Sequence, residues 1–142
     1  MSRRTRTLAA LIALGVSIVA CSGGGDPAAS PFCKEARAVG KLDQATQQLN
    51  DGDPARLKDA WAEYVSAAAK AGKLAPGSLK DDYAVYVTWL KAFRAALDRN
   101  EYRYAGALGD ATFLKATETD EVAGARGAVD TYLADKCKVS AT

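Results

Sequence analysis

The chain has 142 residues, with 19 basic and 17 acidic side chains, a formal net charge of +2, three cysteines and no histidine. That length suits one domain with its own core. The lack of histidine excludes His-based nucleophilic triads, imidazole acid–base chemistry and most zinc sites.

The first seven residues carry Arg3, Arg4 and Arg6 and no acid. Leu8 to Ala20 is apolar, interrupted only by Gly15 and Ser17. A basic segment before a short apolar run is the pattern of an export signal. The run is shorter than the ~20 residues a helix needs to cross hydrocarbon. It ends in Ile18-Val19-Ala20-Cys21. In that position the four residues resemble the lipobox of bacterial lipoproteins. The resemblance covers residues 1–21. It implies that 1–20 is removed, that Cys21 is lipidated, and that the protein sits on the extracytoplasmic face of the cell membrane. Two or more acyl chains hold a protein firmly, whereas one holds it marginally. Ser22 to Ser30 reads SGGGDPAAS, a flexible tether spanning at most about 30 Å.

Every acid lies after Cys21, so losing the three arginines takes the net charge from +2 to about −1. A near-neutral mature domain offers no basic surface for nucleic acid. Two cysteines remain, Cys33 and Cys137. In an oxidising compartment two cysteines most simply form one disulfide, the alternative being two buried thiols.

The remaining chain, 31–142, predicts one all-α domain. Ser30 before Pro31 starts the first helix, with Phe32, Ala36, Val39, Leu42 and Leu49 on one face. Asn50-Asp51-Gly52 ends it, and Asp53-Pro54 starts the second. Leu57, Trp61, Tyr64, Val65 and Ala68 form the second buried stripe, and Gly72 is its stop. Ser78-Leu79-Lys80-Asp81 resembles a capping box for the third helix. Its face is Leu79, Tyr83, Tyr86, Leu90, Phe93 and Leu97, widened by Val85 and Trp89. Asp98-Arg99-Asn100 ends it.

Residues 101–118 are too apolar for a disordered linker and read as a long connection with one short helix. Thr119 caps the last helix, with Asp120 and Glu121 suiting its dipole. Its buried line is Val122, Ala125, Val129, Leu133 and Cys137. Gly124 and Gly127 are expected to admit a close neighbouring helix. Four long helices predict an up-down-up-down bundle, which brings Cys33 and Cys137 to one end, so that a disulfide ties helix 1 to helix 4. With Phe32-Cys33 early and Thr131-Tyr132-Leu133-Ala134-Asp135-Lys136-Cys137 late, the mature part resembles small helical lipoproteins of actinobacteria. That resemblance brings no known activity with it.

Side chains with chemistry are few. Asp81-Asp82 and Asp120-Glu121 begin helices, where acids complement the dipole. Asn50-Asp51-Gly52-Asp53 lacks the alternating ligands and distal Glu of a calcium loop. Lys91, Arg94, Arg99 and Arg103 read as a solvated face. No Ser-x-x-Lys follows Cys21, so no enzyme, metal or cofactor is expected. Trp61, Tyr64, Tyr86 and Trp89 read as core, or as the lining of an aromatic pocket. The expected role is a module for a protein or envelope partner, with Tyr102, Tyr104 and Phe113 as the contact surface. The alternative is a carrier or sensor with an interhelical pocket. A cavity of about 300 Å³ or more favours the second; an exposed apolar patch favours the first.

Overall fold

The computed structural model describes residues 26–49 and 52–139, and these are all-helical, with no strand among them. The export segment, Cys21, the tether residues 22–25, Asn50-Asp51 and residues 140–142 lie outside the described residues. A 3-10 turn, Pro27–Ala29, leads into α1 (Pro31–Gln47). There follow α2 (Pro54–Gly72), α3 (Lys80–Arg99), α4 (Tyr104–Leu108), α5 (Ala111–Thr117) and α6 (Asp120–Asp135).

Local chemistry sets most of these ends. The Ser30 hydroxyl accepts from the Cys33 amide at 3.2 Å, and proline takes the first turn, where an amide hydrogen has no helical partner. Asp53 caps α2 in the same way, accepting from the Ala55 amide at 2.9 Å. Thr119 caps α6 through the Val122 amide at 3.2 Å. The capping box expected at Ser78 does not form. Leu79 holds the N-cap position of α3, with no side-chain cap bond. Ser78 lies in a turn closed by the Leu79 amide on the Pro76 carbonyl, and burying Leu79 fixes that turn. Tertiary packing overrides the local signal here.

The connection 101–118 holds two short helices, α4 and α5, where one was expected. Glu101 and Tyr102 both take the left-handed conformation, at φ 53° and 56°. For residues with a Cβ this costs roughly 1–2 kcal/mol each. The reversal is held by the Tyr102 amide on the Leu97 carbonyl at 2.7 Å and by burial of the Tyr102 ring. Asp110 then caps α5 through the Phe113 amide at 2.9 Å.

Packing follows the chain. α1 lies on α2, α2 on α3, and α3 on α6, while α4 and α5 pack on α3. α3 is thus the central helix. The two outer long helices, α1 and α6, barely touch along their lengths. They are joined at one end by the Cys33–Cys137 disulfide, with 5.0 Å between the Cα atoms. Both cysteines are fully buried. Gly124 and Gly127 do not admit a neighbour: a Cβ at either would meet nothing within 4 Å. Glycine there only weakens the helix. Gly124→Ala and Gly127→Ala should each raise stability by about 0.5–1 kcal/mol, as read from chemical denaturation of the single and double variants.

Candidate functional site

The spacing of α3 puts Tyr83, Tyr86, Leu90 and Phe93 on one face, and Trp61 and Tyr64 stand one turn apart on α2. Both faces look into the space between α1 and α6. Because those helices stay apart, the rings floor a cleft of about 820 Å³. Val39, Gly40, Asp43 and Gln47 of α1 form one wall. Arg126, Asp130 and Leu133 of α6 form the other. Tyr104, Leu108, Phe113 and Leu114 of α4 and α5 close one end. The volume exceeds the 300 Å³ mark and falls in the usual range of small-molecule sites.

The floor is a chain of ring contacts. Trp61 meets Tyr64 at 5.3 Å and Phe93 at 5.0 Å between ring centroids. Trp89 lies nearly parallel to Phe93, at 6.1 Å and 9°. Phe93 also meets Tyr104 at 5.3 Å and Phe113 at 5.1 Å, both edge to face. Such pairs add about 0.5–1.5 kcal/mol each beyond burial, so the lining is a stiff surface.

Polar groups converge on this floor. The Tyr64 and Tyr86 hydroxyls bond each other at 2.8 Å. Asp43 stands beside Tyr64 and accepts from the Gln47 amide at 3.0 Å. Burial pushes the Asp43 carboxyl above the usual value; the Gln47 bond and the nearby Tyr64 hydroxyl oppose this, and the like charge of Asp130 adds to it. Burial also raises the hydroxyls of Tyr64, Tyr83 and Tyr86, which stay neutral. The Arg126 guanidinium lies 4.1 Å over the Trp89 ring. Arg37 donates to the carbonyls of Ala28 at 2.6 Å and Cys137 at 3.1 Å, which braces α1 against the chain after α6. The Trp61 ring nitrogen, buried in the lining, has no hydrogen-bond partner among the described residues.

The residues expected as a contact surface are placed otherwise. Tyr102 and Phe113 are 8 % and 6 % exposed, so neither displays its ring. Tyr104 is half-buried; it and Phe113 turn to Phe93 and become cleft wall. Among the described residues only Leu74 and Leu108 are large apolar side chains with high exposure. Of the basic residues noted along α3, Arg99 has a structural partner. It grips Asp110 with two bonds, at 2.6 and 3.1 Å, and Asn100 adds a third at 3.1 Å. The clasp locks α5, with Phe113, to the end of α3. Sequence reasoning missed Asp110, although an Asp before Ala-Thr-Phe-Leu is a helix-start signal. It also missed Asp43, Arg126 and Asp130, which look like ordinary helix-surface charges.

Asp110 gives a pH prediction. The Arg99 bond holds its carboxyl well below the usual carboxylate range, with help from the Phe113 amide. A lowered folded value gives stability that is present above the ordinary aspartate pKa and is lost as pH falls below about 4. Asp110→Asn keeps a cap but removes the charge. It should lower the melting temperature at pH 7 and narrow the gap to wild type as the acid limit is approached, in melting curves recorded between neutral and acid pH.

Among the described residues no three Cys, Asp or Glu side chains come together as a metal site, and no helix is long and apolar enough to cross a membrane. No family model, curated protein or solved structure matches this chain.

Proposed function

We propose that this protein is a lipid-anchored, extracytoplasmic binding protein whose α1–α6 cleft takes a small organic ligand. The aromatic cleft of about 820 Å³ carries this reading. It combines rigid rings with a hydroxyl pair and half-buried polar groups on the wall, a mix typical of ligand pockets. We also take the four long helices as an up-down-up-down bundle opened along its α1–α6 seam. The lipobox-like segment ending in Cys21 supports the anchor, and the Gly-rich residues after it support a tether. Binding, with no reaction, is the proposed activity. The contact-module reading has less in its favour, since Tyr102 and Phe113 are buried.

The chain has two tryptophans, Trp61 and Trp89, and both line the cleft. Intrinsic fluorescence therefore reports entry directly. A panel of soluble aromatic and heterocyclic compounds should contain ligands that shift or quench the emission. Gly40→Phe, which places a ring between the walls, should abolish the response while leaving the circular dichroism melt near wild type. A panel without effect, or an undiminished response in Gly40→Phe, sinks the proposal. For the anchor, Cys21→Ala should move the protein from the detergent phase to the aqueous phase. An unmodified Cys21 in the mature wild-type mass would rule the anchor out.

A further inference from the structure

We infer that the disulfide end of the domain docks on the anionic bilayer that carries its anchor, with Leu74 entering the headgroup layer and the α4–α5 end of the cleft turned away from the lipid. This inference rests on reading Cys21 as lipidated, and it names the surface that meets the membrane.

The chain between anchor and fold is shorter than the Gly-rich sequence suggests. Asp26 caps the 3-10 turn Pro27–Ala29 through the Ala28 amide, at 3.0 Å. Arg37 holds the Ala28 carbonyl at 2.6 Å, and its second bond reaches the Cys137 carbonyl at 3.1 Å. Residues 26–30 therefore belong to the folded unit. Only residues 22–25 separate Cys21 from Asp26, and five chain steps reach at most about 18 Å. α3 alone, with 20 residues, is about 30 Å long. A tether shorter than the domain keeps the disulfide end close to the headgroups.

The turn between α2 and α3 lies at that same end. Lys70, near the end of α2, pairs with Glu35, near the start of α1, at 3.3 Å. A Cβ on Gly72 would come within 3.1 Å of the Tyr83 ring. That ring meets Phe32, the neighbour of Cys33, at 5.3 Å. From Leu74 to Leu79 the turn reads LAPGSL, without a charge. Leu79 is buried and pins it, whereas Leu74 is 44 % exposed. The Leu74 amide on the Ala71 carbonyl and the Leu79 amide on the Pro76 carbonyl, both at 2.9 Å, set the shape of the turn beforehand. The other exposed large apolar side chain among the described residues, Leu108, is in α4 at the far end and belongs to the cleft lining.

Exposed lysines frame this uncharged tip: Lys70 and Lys73 before it, Lys80 after it. Their stems can lie along apolar surface while the ammonium groups reach phosphate oxygens. The acids of this end hold the balance nearly even. Glu35 is paired with Lys70, Asp26 caps the 3-10 turn, and Asp81 and Asp82 begin α3. Asp135 stands beside Lys136 and Lys138, and Lys34 lies in the first turn of α1. Charge alone would therefore bind a free domain weakly. The anchor makes the encounter intramolecular, at an effective concentration of roughly millimolar, so one leucine and its flanking lysines suffice to orient the domain.

The test uses the mature lipidated protein in nanodiscs of phosphatidylcholine and phosphatidylglycerol doped with a gadolinium-chelate lipid. Amide signals of 73–79 should be broadened several times more than those of 104–117. Leu74→Ser, at an exposed position that does not threaten the fold, should lower the docking equilibrium about five-fold. The broadening at 73–79 should be greater with phosphatidylglycerol than in phosphatidylcholine alone, and Lys73→Gln with Lys80→Gln should erase that difference. Equal broadening at the two ends, or more at 104–117, overturns the docking while a lipidated Cys21 in the mature mass leaves the anchor standing. Undiminished broadening in Leu74→Ser overturns the leucine contact, and indifference to phosphatidylglycerol overturns the anionic surface. An unmodified Cys21 overturns the anchor and the docking together.

Discussion

Reducing the Cys33–Cys137 bond, or replacing both residues with serine, should lower the melting temperature by roughly 10–20 °C, on the scale of about 4 kcal/mol for a domain of this size. The bond joins residues 104 apart in sequence. Closing a loop of about 100 residues removes some 4.7 kcal/mol of chain entropy from the unfolded state in the simplest model, and native disulfides of small exported domains are worth about 2–5 kcal/mol. That is a large share of the 5–15 kcal/mol that holds a typical domain together. The bond has a second consequence here. α1 and α6 have little contact of their own, so the disulfide and the Arg37 bonds to Ala28 and Cys137 set their separation at that end. The reduced protein should therefore lose cleft affinity before it loses helix content. Circular dichroism and tryptophan fluorescence, followed together through a dithiothreitol titration, will separate the two steps. A melting temperature unchanged within a few degrees on full reduction would show that packing alone holds the ends.

Fold and cleft are unequally legible in the sequence. Ser30-Pro31, Asp53-Pro54 and Thr119 announce helix starts because capping is settled within four residues of chain. The apolar stripe of α3 is legible for the same reason: a 3.6-residue period is local. Ser78 misleads because the burial of Leu79, a tertiary event, decides the geometry there. α5 is obscured by Gly106 and Gly109, which read as loop and hide the cap at Asp110. The cleft is the least legible feature. Periodicity gives Trp61, Tyr64, Tyr86 and Trp89 an inward direction. It says nothing of whether the two outer helices close over them, and that depends on contacts between residues some 80–100 positions apart in a chain of this length. The charges of the site are hidden too. Asp43 and Asp130 look like solvated helix residues until α1 and α6 are set on opposite walls of one cavity.

Phe93→Ala should be the most damaging single substitution in the cleft. Phe93 is 2 % exposed. It lies on the central helix and meets four aromatic rings, those of Trp61, Trp89, Tyr104 and Phe113. Truncating a buried phenylalanine costs about 3–5 kcal/mol, from lost transfer energy and from the void left behind. At this position the void adjoins an open cleft, so water can enter it and the surrounding rings lose their common partner. The damage should spread to α4 and α5, whose Tyr104 and Phe113 are anchored on that ring, and strain stored at Glu101 and Tyr102 then favours release of the whole connection. Phe93→Leu keeps apolar volume and should cost less than about 1.5 kcal/mol. The pair separates packing from edge-to-face geometry, because leucine fills the space without a ring. Urea denaturation gives the stabilities, and both tryptophans report the repacking by emission maximum. Hydrogen exchange at the amides of 104–117 should rise in Phe93→Ala while that of α1 and α2 stays near wild type. A loss below about 1 kcal/mol with unchanged exchange in 104–117 would show that Phe93 does not hold the cleft and its end wall together.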